Sequence, residues 1–351
     1  MIFKKTISIL LILLLVFSIT GCTKSNKDMK QVDIEGYVTD ASGVQHKIPD
    51  KEIITIASAY AVAVPFIVAL NLSDNVVAIN YKSIFWADNV DSLAKAGSIG
   101  RGVLDLELTA KFSPDVIIHR ANDPKTVEAV KEKLDIPVIA IAAETVDEVY
   151  STLDLIGRYC HAEHRAQEVK DWMIGKFSMI EELVSSIPDD EKLTALVFGG
   201  QIGIVAGGDM LQSWMLEHAG AICLAKEVTS NIDGDKASAW ANIGTEAIFD
   251  MNPDVIFCTS STVLGYTTDQ LMSDSSWSSM QAVKDERIYQ IPAKIDSWDL
   301  PGISSVIGTM WMLHTMYPNL MSSEQLQAEI DEYYMFMFSK TFEQDYLGYS
   351  V

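Results

Sequence analysis

The chain has 351 residues, enough for two ordinary domains, and 48% of them are hydrophobic, which suffices to build buried cores. Its formal net charge is −22, from 26 basic and 48 acidic residues. This balance excludes nucleic acid as a partner, because nucleic-acid binding requires a basic face. A small anionic ligand is still compatible with this net charge. Exposed charges are screened within about 8 Å at physiological salt, so the local charge of a site decides whether an anion binds there.

Residues 1–21 have the organisation of a signal peptide. Lys4 and Lys5 form a charged start, and an apolar run over residues 7–17 follows. The sequence Ile19-Thr20-Gly21-Cys22 resembles the lipobox of bacterial lipoproteins, which implies cleavage before Cys22 and a lipid on that cysteine. The alternative is an ordinary secretory signal. Residues 22–32 are polar and predict a flexible linker, so we expect an extracytoplasmic protein held to the membrane by its lipid.

Residues 33–144 predict an N-terminal lobe in which strands alternate with helices. Two short strands around Ala41-Ser42-Gly43 indicate an edge hairpin, and further strands are predicted at residues 53–57, 76–80, 116–118 and 138–141. One intervening helix is capped by Asp105 and carries Glu107 in its first turn. This alternation is typical of right-handed parallel βαβ units.

Residues 145–187 predict a single long helix. The segment contains no proline before Pro188 and only two glycines, Gly157 and Gly175, while apolar residues recur at helical spacing. A helix of 30–40 residues would measure roughly 45–60 Å. We therefore expect it to connect two lobes, with Gly175 as the position where it bends or ends.

Residues 188–351 predict a second α/β lobe, because a sequence motif of the first lobe recurs there. Glu107 is followed by Pro114-Asp115-Val116-Ile117, and Glu246 is followed at the same spacing by Pro253-Asp254-Val255-Ile256. Repetition at a fixed spacing indicates duplicated structure. The predicted fold is thus α/β, with two Rossmann-like lobes joined by one long α-helix and a ligand cleft between the lobes.

The order of these motifs along the chain resembles that in the siderophore/cobalamin-type periplasmic substrate-binding proteins of ABC importers. The resemblance covers residues 38–318 and also includes Val38-Thr39-Asp40-Ala41, Glu217-His218-Ala219-Gly220 and Trp298-Asp299 followed by Pro301. It implies a monomeric receptor that works with the membrane subunits of an importer. It also implies that Glu107 and Glu246 bind basic residues of those subunits, one from each lobe. The alternative is that both glutamates only stabilise the positive ends of their helices.

Candidate ligand contacts follow from the position of the strands, because ligands of open α/β sheets meet the loops at the carboxyl ends of strands. The resemblance to hydroxamate-siderophore receptors singles out Arg101, whose planar fork of donors suits an oxygen-rich chelate; its alternative is a surface ion pair with Asp105. Trp298 would form an apolar wall, or pack at the edge of the lobe. The complete set of expected ligand-binding residues is Tyr60, Tyr81, Arg101, His119, Arg120, Gln201, Ser260, Lys294 and Trp298.

We interpret the chain as a lipid-anchored receptor that captures a ferric siderophore-type chelate and requires no cofactor. Haem, cobalamin and an oxyanion such as molybdate remain alternatives within the same role, and Asp296 and Asp299 beside Trp298 would oppose an anionic chelate. An extracytoplasmic two-lobed enzyme, such as a metal chelatase, and a surface adhesion protein are alternatives of other classes. No phosphate-binding loop, zinc-protease or serine-hydrolase motif is present, which disfavours an enzyme.

Overall fold

A computed structural model describes residues 34–52, 54–100, 103–229, 240–260, 264–294 and 296–349. The predicted signal peptide, the predicted lipidation site Cys22, the predicted linker over residues 22–32 and Arg101 lie outside the described residues.

The N-terminal lobe is built on a parallel five-stranded sheet with strand order β5-β4-β3-β6-β7. A separate antiparallel hairpin of β1 and β2 precedes it, as the sequence predicts. The central strands are buried on both faces, which explains why they appear in the sequence as continuous apolar runs. The strands are β1 (Tyr37–Thr39), β2 (Gln45–Lys47), β3 (Ile56–Ser58), β4 (Val76–Ile79), β5 (Gly97–Ser98), β6 (Val116–Arg120) and β7 (Val138–Ile141).

Helices cover this sheet and lead out of the lobe. Asp105 caps the helix that carries Glu107, because its side chain accepts a hydrogen bond from the backbone N–H of Leu108 at 2.9 Å. The helices of this half are α1 (Ala63–Ala69), α2 (Ile84–Asn89), α3 (Leu106–Phe112), α4 (Pro124–Leu134), α5 (Val146–Tyr159) and α6 (Glu163–Val184).

The single helix predicted over residues 145–187 is wrong, because α5 and α6 are separate helices. His161 takes a left-handed conformation at φ 59°, and the N–H of Ala162 donates to the carbonyl of Gly157 at 2.7 Å. This is the hydrogen bond of a Schellman helix end, here formed without a glycine at the left-handed position. The connecting helix is therefore α6, 22 residues long and roughly 33 Å, and Gly175 lies within it without ending it.

The C-terminal lobe holds a six-stranded sheet in which β8, β10, β12 and β13 are parallel, while β9 runs in the opposite direction and pairs antiparallel with both β8 and β11. Its strands are β8 (Thr194–Phe198), β9 (Ile204–Ala206), β10 (Ile222–Cys223), β11 (Trp240–Asn242), β12 (Val255–Cys258) and β13 (Ile288–Gln290). Its helices are α7 (Leu211–His218), α8 (Gly244–Met251), α9 (Thr268–Ser273), α10 (Gln281–Lys284), α11 (Ser305–Met316), α12 (Ser323–Phe338) and α13 (Gln344–Leu347).

Helix α12 returns from the C-terminal lobe and packs against the N-terminal lobe. Phe338 stacks on Trp86 with 5.4 Å between ring centroids, and Lys340 donates to the carbonyl of Asn89 at 2.7 Å. Arg165, at the start of α6, donates to the carbonyl of Phe336 at 2.8 Å. The predicted C-terminal lobe, residues 188–351, thus extends onto the other lobe, while α6 is the helix through which the chain passes between the two halves.

Candidate functional site

The candidate site lies where the carboxyl ends of the two sheets approach each other. Helix α1 follows strand β3 of the N-terminal sheet, and the loop over residues 296–304 follows β13 of the C-terminal sheet. These two segments are in contact, since a side chain added at Gly302 would lie 3.9 Å from the ring of Phe66. Loops that follow parallel strands at such an edge are the usual positions of ligand contacts in α/β folds.

Strand β6 brings two of the predicted residues to this edge. His119 is buried, and its Nε2 lies 3.2 Å from Asp123 Oδ2. Burial lowers the pKa of His119, although the neighbouring carboxylate partly opposes that shift. Arg120 follows with a side chain that is 43% exposed and stands 3.6 Å from the same carboxylate. The guanidinium thus remains accessible to a ligand, whereas the imidazole belongs to the wall behind it.

Tyr60 lies beside Arg120 and near Glu144, a residue that the sequence does not single out. Burial and, to a smaller extent, the charge of Glu144 raise the pKa of Tyr60, Arg120 partly offsets both, and the resulting pKa is about 12. Glu144 is exposed to solvent, yet partial burial by the surrounding protein and, to a smaller extent, the charge of Glu148 raise its own pKa. We call Tyr60, Arg120 and Glu144 the Tyr60 cluster. The only signal that would have found Glu144 is its position three residues after β7.

Tyr81 is the exposed aromatic side chain of the N-terminal wall. It follows β4, and 46% of it is accessible to solvent. Its backbone N–H donates to the carbonyl of Gly100 at 2.9 Å, which joins the loops after β4 and β5. The neighbouring Arg101 lies outside the described residues, so its predicted ligand contact stays a prediction.

The C-terminal wall is organised by a buried carboxylate. Asp299 is fully buried and accepts hydrogen bonds from the hydroxyls of Thr259, Ser260 and Ser297, at 2.8 Å from Ser260 and 3.0 Å from Ser297. The Ser260 and Ser297 hydroxyls are also 2.7 Å apart. Burial raises the pKa of Asp299, and these donors oppose the shift. The network fixes the half-buried Ser260 at the end of β12.

Gln201 and Lys294 are both exposed on this side of the fold. Gln201 lies in the turn between β8 and β9, where its carbonyl accepts from the N–H of Ile204 at 3.1 Å. Lys294 and Ser260 line one open depression of about 400 Å³. The ammonium group of Lys294, however, donates to the carbonyl of Asp345 at 2.7 Å, so part of its hydrogen-bonding capacity is used by the C-terminal segment.

The predicted wall residue Trp298 is in the core, and that prediction is wrong. Its side chain is 1% exposed, its Nε1 donates to the hydroxyl of Tyr334 at 3.1 Å, and its ring lies 5.1 Å from that of Tyr349. The adjacent Asp296 and Asp299 are 1% and 0% exposed. Since neither carboxylate reaches the surface, neither can contact an anionic ligand directly.

The two proposed docking glutamates occupy equivalent, exposed positions. Glu107 lies in the first turn of α3 and Glu246 in the first turn of α8. Neither carboxylate forms a hydrogen bond or an ion pair within the described part of the chain. Helix α8 has no side-chain cap; instead Asn242 Oδ1 accepts from the N–H of Gly244 at 3.2 Å. Both glutamates are therefore accessible to a partner.

The described residues contain neither a candidate membrane span nor a candidate metal-binding cluster. None of the helices in that part of the chain has the length and hydropathy of a membrane span. Within the same residues, no group of three or more His, Cys, Asp and Glu side chains is arranged to hold a metal ion.

Comparison with known proteins finds relatives over most of the chain. Residues 56–295 match the family described as periplasmic binding protein. The molybdate-binding protein MolA of Haemophilus influenzae is 20% identical over 280 residues, which cover 74% of this chain and 76% of MolA. An uncharacterized ABC transporter substrate-binding lipoprotein of Bacillus subtilis, YvrC, is 22% identical over 319 residues, covering 88% of this chain and 96% of YvrC.

Solved structures share the fold at lower sequence identity. MolA bound to molybdate superimposes with a TM-score of 0.73 at 17% identity, over 88% of this chain and 99% of MolA. The CeuE protein of Helicobacter pylori in a nickel–histidine complex gives a TM-score of 0.70 at 18% identity, over 88% of this chain and 97% of CeuE. The two-lobed arrangement of the chain is thus that of known solute-binding proteins.

Proposed function

The chain belongs to the periplasmic binding protein family, and we propose that its ligand is a ferric siderophore-type chelate. Members of this family are the substrate-binding components of ABC transporters and work with membrane permease subunits rather than as enzymes. The family role and its extracytoplasmic location therefore apply here. The proposal concerns the ligand, the docking residues and the lipid anchor.

The observation that carries the ligand proposal is the half-exposed Arg120 at the end of β6. Tyr60 follows the neighbouring strand β3, and Tyr81 follows β4 on the far side of β3. The Arg120 guanidinium offers a planar set of donors to carboxylate, hydroxamate or catecholate oxygens. Tyr81 gives an exposed aromatic surface, and Tyr60 a half-buried one. An open wall of this kind suits an organic anion that is wider than a bare oxyanion. Arg101 would add a second guanidinium, and Lys294, Gln201 and Ser260 would contact the other face.

Molybdate is the second candidate, favoured by the molybdate-binding relative MolA. A tetrahedral oxyanion would need a small site with several convergent donors. The hydroxyls of Ser260 and Ser297 are the described donors that lie close together, at 2.7 Å. Both hydroxyls already share Asp299 as an acceptor, which leaves little donor capacity for a second anion. We therefore place the chelate first.

The proposal also covers the residues that dock to the permease and the lipid that anchors the protein to the membrane. Glu107 and Glu246 each present an exposed carboxylate from one lobe, and a pair of such contacts would let the permease engage both lobes at once. Cys22 would carry the lipid, in keeping with the lipobox and with the lipoprotein name of YvrC. The acyl chains would hold the receptor near the permease while the lobes stay in water.

Equilibrium titration with a ligand panel tests the proposal. Ferric hydroxamate and ferric catecholate chelates, haem, cobalamin and molybdate are each titrated by calorimetry against the mature protein and two variants. Arg120→Gln removes the guanidinium at the site, and the control Lys284→Gln makes the same charge change on exposed α10. We expect a ferric chelate to bind, and Arg120→Gln to weaken it by at least about ten-fold while Lys284→Gln changes affinity less than two-fold. Molybdate binding without binding of any iron chelate would refute the ligand assignment.

A further inference from the structure

A crevice distinct from the strand ends lies where α6 passes from one lobe to the other. Its volume is about 320 Å³, at the lower end of the 300–1,000 Å³ that is typical of small-molecule sites. Three helices line it: the first turn of α5 from the N-terminal lobe, the middle of α6, and the last turn of α7 from the C-terminal lobe. None of the residues in the Tyr60 cluster lines it.

The walls of this crevice are largely aromatic and aliphatic. Phe177 meets Trp214 edge to face, with 4.8 Å between ring centroids at 85°. The Trp214 ring also stacks on His218 at 3.5 Å, and His218 Nδ1 donates to the Trp214 carbonyl at 2.9 Å. Tyr150 and the 47% exposed Ile174 supply further apolar surface. The wall is held in place by these contacts before any ligand binds.

The charges that face the crevice are negative. Asp147 and Glu181 line it, and none of the described lining residues is Lys or Arg. His218 does not supply a positive charge at neutral pH, because burial lowers its pKa. The crevice also borders the last turns of α6 and α7, where helix dipoles place negative partial charge, and the last turn of α6 contains no basic residue. At the first turn of α5, Asp147 offsets the positive helix end.

We propose that this crevice is a second ligand site, which takes a small organic cation with an ammonium group and an apolar body. The ammonium group would lie against Asp147 and Glu181, and the body against Tyr150, Ile174 and Phe177. Aromatic rings also attract cations through their faces, which reinforces the same preference. Because the walls come from both lobes and from the helix that joins them, an occupant would favour one arrangement of the lobes.

The test uses benzyltrimethylammonium as the probe and two molecules of similar size as comparisons. Benzyl alcohol keeps the ring without charge, and benzoate reverses the charge. Binding to the mature protein is followed by NMR, up to about 20 mM probe, a range chosen to detect weak sites. We expect saturable binding of the cation, at least about three-fold weaker binding of the alcohol, and no saturation with benzoate.

Matched variants locate the site. Glu181→Gln keeps the shape of a lining side chain and removes its charge, whereas Glu182→Gln makes the same change at an exposed neighbour that does not line the crevice. We expect Glu181→Gln to weaken the cation about three- to ten-fold, with Glu182→Gln and Arg120→Gln unchanged. Absence of saturable binding, equal effects of the two glutamate variants, or loss of binding in Arg120→Gln would each overturn the proposal. The chelate titration above is independent of these results.

Discussion

Thr55 and Asp115 lock the start of the central N-terminal strand by reciprocal hydrogen bonds. The N–H and the hydroxyl of Thr55 donate to Asp115 Oδ2 at 2.8 and 2.7 Å, and the N–H of Asp115 donates to Thr55 Oγ1 at 3.0 Å. Thr194 and Asp254 repeat the arrangement in the C-terminal lobe at 2.8, 2.7 and 3.1 Å. Both pairs are 60 residues apart in the chain. The repeated Pro-Asp motif therefore has a structural role in each lobe, and it also marks the strands that lead to the site.

Replacing Asp115 by alanine should destabilise the fold. The substitution leaves the Thr55 N–H without its side-chain acceptor and also frees Lys51, whose ammonium lies 2.6 Å from the same oxygen. We expect the free energy of unfolding to fall by about 2 kcal/mol, measured by urea denaturation followed by circular dichroism. The control Asp285→Ala, at an exposed position of the C-terminal lobe, should change it by less than about 0.5 kcal/mol. Equal effects of the two variants would show that the lock does not stabilise the lobe.

The duplicated lobes could be predicted because Pro-Asp-Val-Ile is a contiguous pattern, while the threonines that complete the lock could not. Thr55 and Thr194 are distant in sequence from their partners and follow no local periodicity. The end of α5 was missed for a related reason, since a left-handed histidine replaces the glycine that normally signals a helix end. Folding brings these residues into roles that a linear pattern does not encode.

In the candidate site, too, the positions of some residues could be predicted from the sequence and those of others could not. The strand rule predicts that Tyr60, Tyr81 and Arg120 lie at one edge of the sheet, and the structure has them there, because strand ends can be recognised in the sequence. It could not tell that Trp298, also beside a strand end, turns inward to Tyr334. It also passed over Glu144, because a glutamate in a loop is unremarkable until its proximity to Tyr60 is known.

The buried position of Trp298 separates its effect on stability from any effect on ligand binding. Trp298→Phe removes the hydrogen bond to Tyr334 and part of a fully buried ring, so we expect a loss of about 2–3 kcal/mol in the free energy of unfolding. Calorimetric affinity for the bound member of the ligand panel should stay within about two-fold of wild type, since the side chain does not reach the cleft. A ten-fold loss of affinity at unchanged stability would instead place Trp298 at the ligand.

Asp296 should make stability depend on pH. Burial raises its pKa to about 7. Among the described residues its Oδ1 has no hydrogen-bond partner, whereas Tyr333 donates to Oδ2 at 3.2 Å. Between about pH 4 and 7 the folded protein thus binds a proton that the unfolded chain releases, so this group's contribution to stability falls as pH rises through that window. From pH 5 to 7.5, wild type should lose roughly 2 kcal/mol relative to Asp296→Asn.

The measurement is urea denaturation of both proteins at each pH. Exposed Asp209→Asn serves as the control and should parallel wild type. If the difference between wild type and Asp296→Asn stays constant from pH 5 to 7.5, the carboxyl does not titrate in this window.

Lys176 joins α6, which connects the lobes, to α12, which packs against the N-terminal lobe. Its ammonium group on α6 lies 2.6 Å from Glu329 and 2.7 Å from Glu332 on α12, and its side chain is only 14% exposed. Lys176→Met would leave the largely buried Glu329 carboxylate unpaired, so we expect a loss of about 2 kcal/mol in urea denaturation. Lys192→Met removes an exposed pair with Asp189 and should cost less than about 0.5 kcal/mol. Similar costs for both variants would mean that the helix-to-helix contact adds no stability.

Reversal of charge at both Glu107 and Glu246 tests whether the lobes dock through them. Each carboxylate is exposed and unpaired within the described residues, so Glu107→Lys and Glu246→Lys should fold normally. Lysine at these positions would repel basic residues of the permease, and we expect the double variant to bind the permease at least about ten-fold more weakly in detergent. The single variants should show intermediate losses, because one lobe still docks. The control pair Glu132→Lys and Glu227→Lys makes the same charge change on exposed residues elsewhere, which separates docking from net charge. Equal binding of the two double variants would remove the role assigned to Glu107 and Glu246, and a large loss from only one single variant would mean that docking uses one lobe.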